Sequence, residues 1–150
     1  DYHPQGREMG CLDIALLPGA EHEALLAGSG PHFKANLTHM QTVLELPPGA
    51  RVLARSAHDP HQVVRYGPHA VSTQFHPEFS PAVAAACIEL RAQVLQAEGF
   101  DPAAMLAQLS DTPVPQQMLQ RFVAAYAGQP AAAPALQAAQ VSQAETILTV

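Results

Sequence analysis

The sequence has 150 residues, 48 % apolar and 13 % charged, with a net charge of −6. That is enough chain for one modest domain with a buried core, and no apolar run approaches the ~20 residues that span a bilayer. Seven basic residues scattered through an acidic chain argue against a nucleic-acid surface; two isolated cysteines, Cys11 and Cys87, exclude a disulfide framework and a CxxC zinc site, and point to a reducing cytoplasm.

The chain opens at Asp1 with no initiator Met, which reads as a processed or truncated polypeptide, and no secretory signal precedes the first element. Three compositional zones follow. Residues 1–79 carry strand-like material and all eight histidines. Leu12, Ile14 and Leu16 alternate with Cys11, Asp13 and Ala15, a period-2 strand. Phe33, Ala35 and Leu37 alternate with Lys34, Asn36 and Thr38, a second one. Three short strands are predicted at Ala50–Ser56, Gln62–Tyr66 and Ala70–Phe75, separated by the turn signals Asp59-Pro60 and Gly67-Pro68. Connections that short force antiparallel neighbours, because a parallel crossover needs a dozen residues or more. The zone is therefore a meander, one flank of a larger mixed sheet.

Residues 80–128 have helical punctuation. Ser80 is suited to an N-cap, Pro81 to the first helical position and Gly99 to the C′ stop. Asp101-Pro102 restarts the pattern, and Leu119, Phe122, Val123 and Tyr126 form an i, i+3, i+4, i+7 stripe closed by Gly128. Three helices are predicted. The stripe reads as core packing or a small partner interface. Residues 129–150 are Ala/Gln-rich and read as a loosely ordered tail. The strands lack central parallel partners, so the chain reads as the second half of an α/β domain.

Gln74-Phe75-His76-Pro77-Glu78 is the most informative phrase. In an extended segment positions i and i+2 share a face, so His76 and Glu78 are expected to point the same way, with Pro77 fixing the backbone between them. An imidazole whose tautomer is set by an adjacent acid is two thirds of a nucleophile–base–orienter triad. An isolated His-x-Glu is more often a strand-end histidine beside a surface acid; the flanking residues tip the balance here.

At this phrase the chain resembles the class I glutamine amidotransferases, which hydrolyse glutamine through a catalytic cysteine. Four other stretches agree in order: Gly6-Arg-Glu-Met-Gly10, Thr38-His-Met-Gln-Thr-Val43, Leu46-Pro-Pro-Gly-Ala50 followed by Val52-Leu-Ala54, and Pro60-His-Gln62. The combination is closest to the GMP-synthase-like branch and covers roughly residues 3–80. The resemblance implies the C-terminal half of a Rossmann- or flavodoxin-like domain: a mixed sheet with an antiparallel meander, plus C-terminal helices. It implies His76 as base, Glu78 as its orienter, and Thr38, His39 and Met40 beside the glutamine pocket. His39 reads equally well as a satisfied structural histidine.

The family's cysteine sits in a Gly-x-Cys-x-Gly-type elbow, and no such phrase occurs here. Cys11 lies inside a strand, without the helix N-terminus that would lower its pKa, and Cys87 reads as a small buried residue. The half carrying the nucleophile is therefore expected to lie outside this chain, and the 150 residues alone are expected to be inactive. No cofactor, prosthetic group or metal is expected; His58 and His61 are three apart in a Pro-containing turn that reads as a solvated loop, with no third ligand to match. The expected substrate is glutamine, with γ-glutamyl peptides or conjugates as the enzymatic alternative and a non-catalytic binding or assembly role as the other. A synthetase partner is implied only by resemblance. No GxxxxGK[ST] phrase is present, and exposed sheet edges make self-association an expectation.

Overall fold

The structure, a computed structural model, describes residues 1–127. Five strands form one sheet in the order β2-β1-β3-β4-β5: β1 Glu8–Leu16, β2 His32–His39, β3 Arg51–Arg55, β4 Val63–Gly67 and β5 Ala70–Thr73. All four ladders among the described residues are antiparallel, which the short connections require of β3–β4 and β4–β5. β1 and β2 pair along eight positions, from Glu8↔His39 to Ala15↔His32. Between them the chain makes two 3₁₀ turns, Ala20–His22 and Ala24–Leu26. All five predicted strands are present. β1 reaches further back than its alternation indicated, to Glu8, and the others end within a residue or two of their expected bounds.

The sheet is curled so that the segment leaving β5 reaches β2. Leaving β5, Gln74 N donates to Gln62 O at 2.9 Å and His76 N donates to Asn36 O of β2, also at 2.9 Å. This second bond joins the two edges of the sheet at the end that carries the His-Pro-Glu phrase. Phe75, between the two donors, is 2 % exposed and meets Phe33 of β2 edge-to-face at 5.8 Å between ring centroids. Aromatic pairs in this arrangement add to the burial term because ring edge faces ring π-cloud.

Strand alternation divides the apolar residues between two cores. Ile14, Phe33, Ala35, Leu37, Leu53, Val63 and Phe75 pack with Leu25, Leu26 and Met118. Met9, on the other face of β1, packs with Ile88 and Leu95. The second core is roofed by α1 Pro81–Leu90, α2 Ala92–Ala97 and α3 Pro102–Ala107; α4 Pro113–Tyr126 closes the first.

The helix starts follow the sequence. Ser80 Oγ accepts from Val83 N ahead of Pro81, and Asp101 Oδ1 accepts from Ala103 N and Ala104 N ahead of Pro102. Gly99 takes φ +89 just past α2, a left-handed conformation that costs other residues a Cβ clash. Two features differ from expectation. The first predicted helix is split at Arg91, whose φ −106, ψ 8 falls outside the helical region and whose N–H turns back to Ile88 O. Nothing in the Ala/Gln-rich pattern marks that break, so there are four helices among the described residues rather than three. α4 also begins at Pro113, earlier than the stripe indicated. Its inward residues are Val114, Met118 and Phe122, while Leu119 and Val123 remain exposed. Gly128 and the predicted tail, residues 129–150, lie outside the described residues.

Replacing Phe75 with Ala removes the ring that pins the end of β5 to β2. Truncating a buried Phe typically costs about 3–5 kcal/mol, so equilibrium urea unfolding of Phe75→Ala should show a loss of that order. A loss below about 1 kcal/mol would mean the closure does not depend on this ring.

Candidate functional site

The rolled edge presents His76. Its Nδ1–H donates to Glu78 Oε1 at 2.8 Å, and its ring stacks on Phe79 with centroids 4.0 Å apart and planes 18° from parallel. The sequence pattern places the two side chains together as i, i+2 neighbours on an extended strand. Instead β5 ends at Thr73, and His76–Phe79 form a turn in which Phe79 N donates to His76 O at 3.3 Å. Pro77 occupies the second position of that turn, where its fixed φ is favoured. The pairing is as expected, but a turn rather than strand alternation makes it.

Glu78 is lowered from the ordinary carboxylate range. Partial burial pushes its pKa up, and the hydrogen bond and charge of His76 more than offset that. With Nδ1 committed to Glu78, Nε2 is the ring nitrogen left without a hydrogen-bond partner among the described residues, on a side chain 35 % exposed. An imidazole so held has one tautomer favoured and one nitrogen free to trade a proton.

The other predicted site residues are dispersed. Thr38 Oγ1 is buried with no hydrogen-bond partner. Met40 is at the surface, its Sδ accepting from Arg7 Nη2 at 3.1 Å, while Arg7 also holds Glu98 through two bonds of 2.8 and 3.2 Å. His39 is tied to acids: Nε2 lies 3.3 Å from Glu8 Oε2 and 3.6 Å from Asp59 Oδ2. Glu8 is its directly opposed partner across the β1–β2 ladder, which places both side chains on one face. Asp59 arrives from the β3–β4 connection, where it is fully buried and accepts from His61 N at 2.7 Å and Gln74 Nε2 at 3.3 Å.

Burial alone would lower the His39 pKa, and that is the largest single influence; Asp59 and Glu8 together overcome it and raise the pKa to about 9. Asp59 is held well below the usual range, since His39, Thr42, His61 and Gln74 outweigh its desolvation. Sequence reasoning treated Asp59 only as a turn signal and Glu8 only as a motif letter. The opposed register of β1 and β2 was the available clue to Glu8; nothing local marked Asp59. The loop read as solvated is instead fastened: His58 Nε2 meets Gly6 O at 3.1 Å, its ring lies 4.2 Å from that of His3, and His61 Nδ1 meets Val43 O.

Neither cysteine has a hydrogen bond to His76. Cys11 is 4 % exposed in β1 with Sγ 3.5 Å from Ser110 Oγ, and Cys87 packs against the Met9–Ile88–Leu95 core.

The family model described as glutamine amidotransferase class-I matches residues 7–91. The chain belongs to the class I glutamine amidotransferase family. Among solved structures this family member is similar to the protein SMU.1228c, at 23 % identity and a TM-score of 0.66 over 81 % of this chain and 55 % of that one. It is also similar to a glutamine amidotransferase from Thermotoga maritima, at 21 % identity and a TM-score of 0.64 over 81 % and 51 % of the two chains. A third likeness is to a candidate GMP synthase component from Thermoplasma acidophilum, at 16 % identity and a TM-score of 0.52 over 79 % and 43 %. The chain thus spans about half the length of these relatives. No curated protein matches it. No helix among the described residues is long and apolar enough to cross a membrane.

The charge state of His39 gives a pH signature. Its pKa is raised in the folded protein, so its contribution is complete below the unfolded value of about 6.5 and is lost as pH rises towards 9. Asp59 is lowered, so its contribution is complete above its ordinary value and lost as pH falls below it. Thermal unfolding against pH should therefore show a plateau between about pH 4 and 6.5 and a decline towards pH 9. In His39→Gln the alkaline decline should vanish; if it persists unchanged, other groups cause it.

Proposed function

We propose that the full-length protein hydrolyses the side-chain amide of glutamine to glutamate and ammonia. Membership of the class I amidotransferases supports the reaction class, and one observation carries the assignment of roles: the 2.8 Å contact between His76 Nδ1 and Glu78 Oε1, which leaves Nε2 free for proton transfer. In this reading His76 takes the proton of a cysteine thiol, the thiolate attacks the amide carbon, and a glutamyl thioester forms as ammonia leaves with a proton returned by His76. Water, deprotonated by the same imidazole, then releases glutamate. Glu78 keeps the ring in the productive tautomer and stabilises the imidazolium formed at each transfer.

The thiol is proposed to come from a segment or chain beyond these residues. Cys11 is buried inside a strand and Cys87 lies within α1 against the Met9–Ile88–Leu95 core, and neither is hydrogen-bonded to His76. Tetrahedral charge on the amide oxygen needs backbone donors, of which the loss of one costs about 3–4 kcal/mol in comparable sites. Those donors belong, in this proposal, with the thiol. The pairing of His76 and Glu78 serves γ-glutamyl peptides equally well, so substrate choice is settled by comparing glutamine with γ-glutamyl dipeptides on the full-length protein.

His76→Ala in the full-length protein should abolish ammonia release while circular dichroism and unfolding midpoint stay close to wild type. Glu78→Gln keeps the hydrogen-bonding shape without the charge and should lower kcat by about 100-fold or more. Full turnover in His76→Ala would overturn the assignment. The 150-residue chain alone should release no ammonia from glutamine.

A further inference from the structure

We propose that Glu8, His39 and Asp59 form a binding site for a divalent cation of the zinc class, separate from the His76–Glu78 pair. One oxygen or nitrogen from each residue lies within 4.8 Å of the others. The separations His39 Nε2–Glu8 Oε2 and Nε2–Asp59 Oδ2 are 3.3 and 3.6 Å. Those are long for charge-assisted hydrogen bonds, which run at about 2.7–2.9 Å. They are close to the ~3.4 Å edge of a tetrahedron whose metal–donor bonds are about 2.0–2.1 Å.

Two further observations point to a ligand. Both ring nitrogens of His39 are buried and make no hydrogen bond of acceptable geometry, and Gln62 Oε1, on a side chain with no exposed surface, is likewise unpartnered. Gln62 borders the same cluster, since its Nε2 donates to Glu8 Oε2; three protein donors leave the fourth position of a zinc-class ion to water. Nothing in the sequence pattern marks the site, because its ligands come from β1, the end of β2 and the β3–β4 connection, and histidine spacing alone suggested no metal.

The test uses chelator-stripped full-length protein titrated with Zn²⁺ by calorimetry and with Co²⁺ by visible absorption. One Zn²⁺ per chain should bind saturably and be removed again by a chelator. Co²⁺ should give the intense ligand-field bands of a four-coordinate N/O site. Glu8→Gln and Asp59→Asn should each weaken binding about 100-fold or more, whereas His3→Ala/His58→Ala, which removes the tilted ring pair outside the cluster, should leave it unchanged. No saturable binding by the wild-type protein would overturn the proposal without recourse to any variant. So would stoichiometric binding lost only in His3→Ala/His58→Ala, or a Co²⁺ spectrum of the six-coordinate aquo type.

Discussion

A backbone hydrogen bond, His76 N to Asn36 O, ties the segment that leaves the last strand of a five-stranded sheet to the first strand in its order. The order β2-β1-β3-β4-β5 would leave those strands far apart if the sheet were flat. Strand twist brings them round, and the buried Phe75 ring against Phe33 holds them there. The chemistry-bearing phrase begins one residue after that ring. Its placement is therefore a consequence of sheet closure, and the short turn through Pro77 converts a closed edge into a presented imidazole.

Behind the same edge lies the charged cluster of His39 with Glu8 and Asp59. Gln74 connects the two regions: its Nε2 donates both to Gln41 O and to Asp59 Oδ2, two residues before His76. Buried charges are worth little as net stabilisers but are costly to leave unpaired. Their effect here is to fix relative position: β1, the end of β2, the β3–β4 connection and the end of β5 all meet at one set of atoms. Gln74 thus fastens the end of β5 to the cluster two residues before His76.

The strands were legible because their apolar residues alternate with period 2 and their connections are short. Helix starts were legible because Ser80-Pro81 and Asp101-Pro102 satisfy exposed N–H groups in a recognisable way. The break at Arg91 was not, since helix propensity is continuous through Leu90–Ala97 and only tertiary packing of two short helices over Met9 separates them. The α4 face was legible in part: Phe122 of the stripe packs on the core, while Met118, one position from Leu119, also reaches it and carries no mark in the stripe. His76 with Glu78 was found because proximity in sequence made the pair. His39 with Asp59 was not, because 20 residues separate partners that meet only after the sheet forms. The turn geometry of His-Pro-Glu was mistaken for extended backbone because Pro77 is compatible with both.

The stacking of Phe79 on His76 restricts how anything can reach that ring. With one π-face covered at 4.0 Å and near-parallel planes, and with Nδ1 occupied, the ring is open to a partner along its own plane, edge-on to Nε2. That is the line on which the nitrogen lone pair points. The aromatic neighbour thus acts as a blinker, so a group exchanging a proton with this ring meets it from beside the turn rather than across the face that Phe79 covers.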